Sequence, residues 1–243
     1  MKLTTLVFSA FAGLSALGVT VTSSNVLGAM KVTCDTQKAI ICTPWVSAVA
    51  AGDVKLTDLV MTAGLEDGDA VILYANGGFK AWTLSGGAWV GTAVADVGGT
   101  TTAGANEAIA RGLGFWFVKK TFAAGDTYDL YLYGQQATAG ATATVTANAW
   151  NLVANPGTAA VDLLADGRMA NLTAAANDQI QIPNGANPPI TYKFNGTAWT
   201  TTTKTELKNG RTLVTTSAAS SIMLPAGKGC WYVSKGGSGS IAW

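Results

Sequence analysis

The side chains that most often carry catalysis are sparse in this chain. Its 243 residues include no histidine, which removes Ser-His and Cys-His nucleophile pairs and the commonest metal ligand. Ser238 lies between glycines, but the segment lacks the final glycine of a nucleophile elbow and there is no histidine to activate it. The carboxylates are scattered, so no pair stands out for glycoside hydrolysis. The sequence predicts a protein that is not an enzyme and that uses no cofactor.

Three acidic residues around one glycine are the next candidates for chemistry. Glu66, Asp67 and Asp69 surround Gly68, and carboxylates together with carbonyl oxygens are the ligands that calcium prefers. No repeated Asp-x-Asp spacing follows, and only Asp178 stands at the corresponding place later in the chain. The sequence therefore favours a solvated turn over a metal site.

The charge balance argues against nucleic acid as a partner. Lys and Arg number 15 against 14 Asp and Glu, the formal net charge is +1, and only 12% of the residues are charged. Phosphate recognition needs clustered Lys and Arg. The densest basic spot is the pair Lys119 and Lys120, which is typical of a solvated strand end.

The N-terminus has the pattern of a leader. Lys2 is followed by an apolar and small-residue stretch from Leu3 to Gly18, and no further charge occurs before Lys31. This pattern is typical of a secretory signal peptide, so residues 1–18 are predicted to be removed after Gly18. The alternative is a retained membrane anchor, because Leu3–Val21 is 19 residues long and a bilayer needs about 20. The predicted location is the periplasm, the cell surface or the extracellular space.

Four landmarks occur twice in the same order, which predicts a duplicated unit. The two occurrences are separated by 110 to 115 residues, and small differences in spacing are what loop insertions produce. The pairs are Val32 and Val145, Pro44 and Pro156, Trp89 and Trp199, and Trp116 and Trp231. Residues 19–138 are assigned to the first unit and residues 139–243 to the second.

Each unit has the pattern of short β-strands. Large side chains alternate from Tyr128 to Gly134, and Ser85-Gly86-Gly87 and Asn195-Gly196 are hairpin signals. Two stretches, Lys55–Ala63 and Ala159–Asn171, are expected to be helical for a turn or two at most. The predicted fold is all-β, with two tandem homologous units after the leader, each a small β-sandwich or open barrel.

Two cysteines flank a polar turn. Cys34 and Cys42 stand on either side of Asp35–Lys38, and on neighbouring strands of one hairpin they would come within disulfide range. Export favours the oxidised form, so this pair is the disulfide candidate, and two buried free thiols are the alternative. Cys230 stands where the first unit has Phe115, which indicates a buried apolar role.

The tryptophans offer the one candidate binding chemistry. Trp82, Trp89 and Trp199 are the candidates for stacking on sugar rings, since flat aromatic faces suit such contacts. Core packing is the alternative, and it is favoured for the pairs Trp89/Trp199 and Trp116/Trp231 because both units keep them.

Two segments of the second unit carry distinctive motifs. They are Tyr192–Trp199, with the sequence YKFNGTAW, and Leu224–Trp231, with the sequence LPAGKGCW; Leu152–Pro156 adds LVANP. The chain resembles in these motifs a loose family of exported bacterial tandem-repeat β proteins. The resemblance covers most of the chain after the leader and implies an exported β fold. No activity is established for that family, so the resemblance implies no functional residue.

Two functions are expected from these observations. The first is an exported, non-enzymatic structural or assembly protein of the cell envelope or extracellular space, which associates with itself or with other envelope components through exposed strand edges. The alternative is a carbohydrate- or other ligand-binding module that uses exposed aromatic residues, with polysaccharide as the partner.

Overall fold

The structure of the chain is a computed structural model, and it describes residues 27–46, 53–55, 61–62, 65–75, 78–92, 108–136, 140–165, 167–185, 187–206 and 212–243. The leader predicted at residues 1–18 lies outside the described residues. Every regular element within them is a β-strand. The all-β class predicted from the sequence is therefore confirmed.

The described part of residues 27–136 contains eleven strands, and their sheets are called the N-terminal sheets below. The strands are β1 (Leu27–Cys34), β2 (Lys38–Ile41), β3 (Trp45–Val46), β4 (Val54–Lys55), β5 (Met61–Thr62), β6 (Ala70–Ala75), β7 (Gly78–Ser85), β8 (Ala88–Thr92), β9 (Ala108–Ile109), β10 (Phe115–Val118) and β11 (Tyr128–Gln136). One sheet has the order β1-β11-β3, with β5 also paired to β11. A second has the order β2-β10-β6-β7-β8, and β4 pairs with β9.

Eleven more strands are described within residues 142–242, and their sheets are called the C-terminal sheets. The strands are β12 (Thr142–Val145), β13 (Trp150–Ala154), β14 (Val161–Asp162), β15 (Leu172–Thr173), β16 (Gln179–Asn184), β17 (Asn187–Phe194), β18 (Trp199–Glu206), β19 (Thr212–Ala218), β20 (Met223–Leu224), β21 (Gly229–Val233) and β22 (Ser238–Ala242). Their orders are β12-β22-β15, β13-β21-β16-β17-β18-β19 and β14-β20. Within the described part of the chain, no sheet closes into a barrel.

Strand alternation decides which side chains form the cores. In β10, Phe115 and Phe117 are completely buried, whereas Trp116 between them is only partly buried. In β21, Tyr232 is completely buried and Trp231 is not. Because successive side chains of a strand point to opposite faces, each of these strands turns one face to its core and carries a tryptophan on the other.

The hairpin turns follow from residues that tolerate positive φ. Gly86 and Gly87 have φ of 59° and 76°, as the two central positions of a type I′ turn require, and they join β7 to β8. In the β17–β18 connection, the Asn195 side-chain oxygen accepts hydrogen bonds from the backbone N–H groups of Thr197 and Ala198. Both hairpin turns predicted from the sequence are present.

One predicted element is corrected by the structure. The described part of residues 159–171, which leaves out residue 166, contains no helix; Val161–Asp162 forms β14, and turns follow. Asp162 explains this, because its side-chain oxygen accepts hydrogen bonds from the N–H groups of Leu164 and Ile222, which favours a local turn over helical bonding. Of Lys55–Ala63, residues 56–60 and 63 lie outside the described residues, and the remainder is extended.

A buried aspartate holds the C-terminal sheets together at one end. Asp178 is completely buried, and its carboxylate accepts hydrogen bonds from the Tyr232 hydroxyl at 2.7 Å and from the N–H groups of Lys235 at 2.6 Å and Ala175 at 2.9 Å. Asp69 is its counterpart in the N-terminal sheets, where it accepts from Lys119 Nζ at 3.0 Å and from the Lys120 N–H at 2.8 Å. A buried carboxylate that lost these donors would be strongly destabilising.

We expect Asp178→Asn to lower the free energy of unfolding by about 3 to 5 kcal/mol, because an amide NH₂ would then face groups that donate to the carboxylate. Tyr232→Phe removes one donor of three, and a smaller loss of about 2 kcal/mol is expected. Urea denaturation followed by tryptophan fluorescence measures both. Asp53→Asn, at an exposed site, is the control. A loss for Asp178→Asn no larger than that of the control would contradict the role of this carboxylate.

Candidate functional site: the contact between the two sets of sheets

The N-terminal and C-terminal sheets are joined through the backbone at two places. Ile41, at the end of β2, forms a bridge with Lys228, and Leu113 forms a bridge with Val153 of β13. The N–H of Cys42 donates to the Gly227 carbonyl at 3.0 Å, and the N–H of Ala154 donates to the Gly112 carbonyl at 2.9 Å. Edge strands β2 and β13 are therefore each closed by a segment from the other set of sheets.

Two glycines allow this close approach. A Cβ atom on Gly229 would overlap Cγ2 of Ile40 and lie 3.0 Å from the Val153 carbonyl oxygen. A Cβ atom on Gly114 would lie 3.0 Å from Leu152 Cγ and 3.1 Å from Ile40 Cγ2. The space that a methyl group would need is already filled at Gly229, so the contact requires a residue without a side chain there.

Five aromatic rings meet at this contact and are called the aromatic cluster. Trp116 and Trp231 lie edge to face with centroids 5.4 Å apart, and Phe79 stacks on Trp116 at 5.4 Å with an interplanar angle of 17°. Tyr74 packs its ring against Phe79 at 4.9 Å and against Trp231 at 5.5 Å. Trp150 completes the cluster, with its ring perpendicular to that of Trp231 at 5.5 Å. The cluster therefore combines side chains of both sets of sheets.

The members of the aromatic cluster differ in exposure. Tyr74, Phe79, Trp116 and Trp231 are partly buried, as rings in mutual contact should be. Trp150 is 48% exposed. An exposed tryptophan at the rim of a cluster of partly buried rings can offer a ring face to a ligand without any change in the fold.

The tryptophans proposed from the sequence for stacking lie elsewhere. Trp82 is completely buried, and Trp199 is 7% exposed. Trp89 is partly buried and packs against the core of the N-terminal sheets. Trp82 and Trp199 therefore have no free ring face, since both are enclosed on the inner side of their sheets.

Sequence reasoning missed Trp150, although a usable signal was present. Trp150 lies just before the distinctive Leu152–Pro156 segment, and it is not among the tryptophans singled out from the sequence. The alternation of β13 would have placed Trp150 on the same face as Leu152. In the structure Leu152 pairs with Trp231, and Trp150 pairs with Val233.

The proposed Cys34–Cys42 disulfide is absent, and both residues are buried free thiols, as is Cys230. The prediction assumed that the strands on either side of the turn pair with each other. Instead β1 pairs with β11, whereas β2 pairs with β10 in another sheet. The Cys42 thiol donates to the Asn155 carbonyl at 3.0 Å, and Cys34 Sγ lies 3.6 Å from Lys228 Nζ.

Burial sets the chemistry of these thiols. It raises the pKa of Cys230 to about 12 and raises the pKa of Cys42 as well. Burial also raises the pKa of Cys34, although the nearby Lys228 ammonium opposes that shift. At neutral pH all three groups are protonated thiols, which are poor nucleophiles and poor metal ligands.

The acidic turn is tied into the structure by its own hydrogen bonds. Besides Asp69, Glu66 contacts Lys119 Nζ at 3.0 Å and accepts from the Thr121 N–H at 2.9 Å. Hydrogen bonds from Lys119 and Thr121 hold the pKa of Glu66 below its usual value. These carboxylates brace the connection between β10 and β11. Among the described residues, no group of three or more Cys, Asp or Glu side chains has the arrangement of a metal site.

A cavity of about 230 Å³ opens beside the contact between the two sets of sheets. Its lining includes Asp35, Thr36, Asn184, Pro225 and Lys228. The ammonium of Lys228 donates to the Thr33 carbonyl at 2.6 Å, which ties this side chain to β1. The cavity has one acidic and one basic side chain, so it shows no net preference for a charged ligand.

The tight contact at Gly229 gives a test of the fold. We expect Gly229→Ala to lower the free energy of unfolding by about 1 to 3 kcal/mol, because the added methyl group overpacks the contact with Ile40. Combining it with Ile40→Ala should give a loss smaller than the sum of the two single losses, by about 1 kcal/mol or more. Leu132→Ala, buried within the N-terminal sheets, is the control partner and should be additive. Additivity with Ile40→Ala would show that the contact is absent in solution.

The thiols give a second test. We expect the folded protein to resist iodoacetamide at pH 8, because each thiol is buried and its raised pKa keeps it protonated. In urea without reductant, all three cysteines should react, which intact mass measurement reads as three added groups. A single added group in urea would instead mean that two cysteines form a disulfide.

Comparison with protein-family models, with curated proteins and with solved structures finds no match to this chain. No helix with the length and apolarity of a membrane span occurs among the described residues.

Proposed function

We propose that this chain is an exported, non-enzymatic structural protein of the cell envelope or extracellular space, and that it associates with a second copy of itself through β19. The observation that carries this proposal is the open edge of the six-stranded C-terminal sheet. Among the described strands, β19 pairs with β18 alone. Its other edge therefore offers backbone N–H and C=O groups for pairing.

Both faces of β19 are open to solvent. The side chains from Leu213 to Ala218 are all exposed, and Leu213 and Val214 are 51% and 55% exposed. Seven residue pairs join β19 to β18, from Thr200 with Ala218 to Glu206 with Thr212. Since neither face of β19 is covered by a core, the strand extends the sheet beyond the packed body.

The sequence of β19 lacks the usual protection of an edge strand. It reads TLVTTSA, with no charge and no proline, whereas natural edges are commonly blunted by lysine, proline or a bulge. Thr and Val are also among the residues that favour extended strands. An uncharged edge strand of seven residues that is rich in β-branched side chains is suited to strand addition.

The two sheet edges that meet at the contact are closed, whereas β19 and the shorter β8 each pair with only one neighbour among the described strands. Edge strand β2 bonds to the segment at Gly227 and Lys228, and edge strand β13 bonds to Gly112 and Leu113. The chain thus seals these two edges with its own backbone and leaves β19 unsealed. That contrast supports an intermolecular role for β19.

A second copy of the same strand is the partner that fits best. In an antiparallel pair of β19 strands centred on Thr215, Leu213 would face Ser217 of the second copy and Val214 would face Thr216. No like charges would meet across such a twofold axis, and β-branched cross-strand pairs are favourable. Self-pairing would also satisfy both edges at once, as an isologous dimer does.

The proposal includes a tandem organisation, which the strand orders support. Strands β2, β10, β6, β7 and β8 are neighbours in the same order as β13, β21, β16, β17 and β18, and β1-β11-β5 corresponds to β12-β22-β15. The aspartates Asp69 and Asp178 accept from equivalent backbone groups. A duplicated, exported unit with an added hairpin strand, β19, accounts for these features, and the leader pattern at residues 1–18 supports export.

We expect the purified protein to dimerise with increasing concentration, and the double substitution Val214→Lys with Thr216→Lys to weaken dimerisation roughly tenfold or more, because the introduced lysines would oppose each other across the pair. Sedimentation velocity over a concentration series measures this. Met223→Lys, at a side chain 48% exposed on β20, is the matched control and should dimerise like the unmodified protein. A strict monomer at the highest concentration, or a doubly substituted protein that dimerises unchanged, would count against the proposal.

A further inference from the structure

On the outer face of the six-stranded C-terminal sheet, amide and hydroxyl side chains lie on the strands next to the aromatic cluster. Cross-strand pairing places Trp231, Gln181 and Thr191 in one row. The neighbouring row runs from Trp150 through Val233, Gln179 and Lys193 to Thr200. Tyr232 and Ile180, at the alternate positions, are completely buried, so these two rows lie on the face opposite the core.

We propose that this outer face binds a soluble, neutral polysaccharide, with a sugar ring against Trp150 and with Gln179 and Gln181 as hydrogen-bonding partners. The first support is the exposure of Trp150. A ring needed only for packing the two sets of sheets together would be covered, as Trp116 and Trp231 largely are, whereas Trp150 is 48% exposed. Among the described residues, Trp150 and Tyr133 are the exposed aromatic side chains.

The angle between the rings favours a single soluble polysaccharide chain over a flat crystalline surface. The Trp150 and Trp231 rings are perpendicular, with an interplanar angle of 89° and centroids 5.5 Å apart. Perpendicular rings form a corner, whereas adsorption on a flat crystalline polysaccharide requires exposed rings in one plane. A corner suits a single hydrated chain, because the apolar face of one sugar packs on one ring and its edge meets the other.

The two glutamines supply the polar part of the site. Gln181 Nε2 donates to Gln179 Oε1 at 2.9 Å, which fixes both amides relative to each other. An amide group has two N–H donors and two acceptor lone pairs, so this bond leaves both residues able to donate and to accept. Neighbouring strands lie about 4.8 Å apart, and β16 is next to β21. The amides thus stand one strand away from Trp231, within reach of hydroxyl groups on a sugar held by the rings.

The charge of the face selects a neutral ligand. The two rows contain no carboxylate, and their single charged side chain is Lys193. A surface for acidic polysaccharide would need several cations, because each phosphate, sulfate or carboxylate group favours its own counter-charge. Amides, hydroxyls and rings match a polyhydroxylated chain without charge. This binding function is independent of dimerisation through β19, and either can fail without the other.

Affinity electrophoresis in native gels tests the proposal with the purified full chain. The gels contain soluble glucans, mannans, xylans or galactans, with an alginate gel as the acidic comparison. We expect at least one neutral polysaccharide to retard the protein, and Trp150→Ala to weaken that binding roughly tenfold or more through loss of the stacked ring. Trp150→Phe should recover part of the binding, and Gln181→Ala should weaken it several-fold. Met223→Ala is the control for removal of an equally exposed apolar side chain.

Several outcomes would overturn the proposal. They are a protein that no neutral polysaccharide retards, retardation by alginate alone, and retardation that Trp150→Ala leaves unchanged. Binding to insoluble crystalline cellulose or chitin without binding to any soluble chain would also overturn it, since that result requires a flat platform. Thermal unfolding of each variant checks that it is folded. If Trp150→Ala does not fold, Gln181→Ala and Gln179→Ala decide the matter, because both side chains lie on the outer face.

Discussion

The close backbone approach at Gly229 and Gly114 is the constraint on which the other features depend. Because no side chain intervenes there, Ile40 packs directly against the C-terminal sheets, and the edges β2 and β13 find partners within the chain. The same approach brings Trp116 within 5.4 Å of Trp231. A larger residue at Gly229 would separate the two sets of sheets, and it would disperse the aromatic cluster and reopen two edges at once.

Features governed by local rules were predictable from the sequence. The alternation in β11 buries Leu130 and Leu132 as expected, and the Gly86–Gly87 and Asn195–Gly196 turns form where short loops demand them. The disulfide prediction failed for a non-local reason. Cys34 and Cys42 are close in sequence, but Cys34 pairs with Tyr128 at the end of β11, and no rule based on neighbouring residues reveals that pairing.

The candidate site was only partly predictable for the same reason. Core packing is the sequence prediction for Trp116 and Trp231, whereas both rings are only partly buried, lie on the face opposite their cores and contact each other across the two sets of sheets. Whether a ring points inward or outward depends on the phase of its strand relative to the core, which tertiary packing decides. Trp82 and Trp116 both lie in apolar β-segments, yet the first is completely buried and the second is not. Asp178 was recognised as an isolated acid, whereas its three donors come from residues 3, 54 and 57 positions away.

In each set of sheets, the first described strand pairs with the last, β1 with β11 and β12 with β22. This pairing has a consequence for how the chain folds. Leu27 pairs with Gln135, and Thr142 pairs with Ala242. Joining such distant residues carries a large loop-closure entropy, which makes pairing slow. For a chain that emerges N-terminus first, the N-terminal sheets are complete once β11 is available, while the C-terminal strands are still emerging. That order in time separates the folding of the two sets of sheets, which reduces the chance that a strand of one set pairs with a strand of the other.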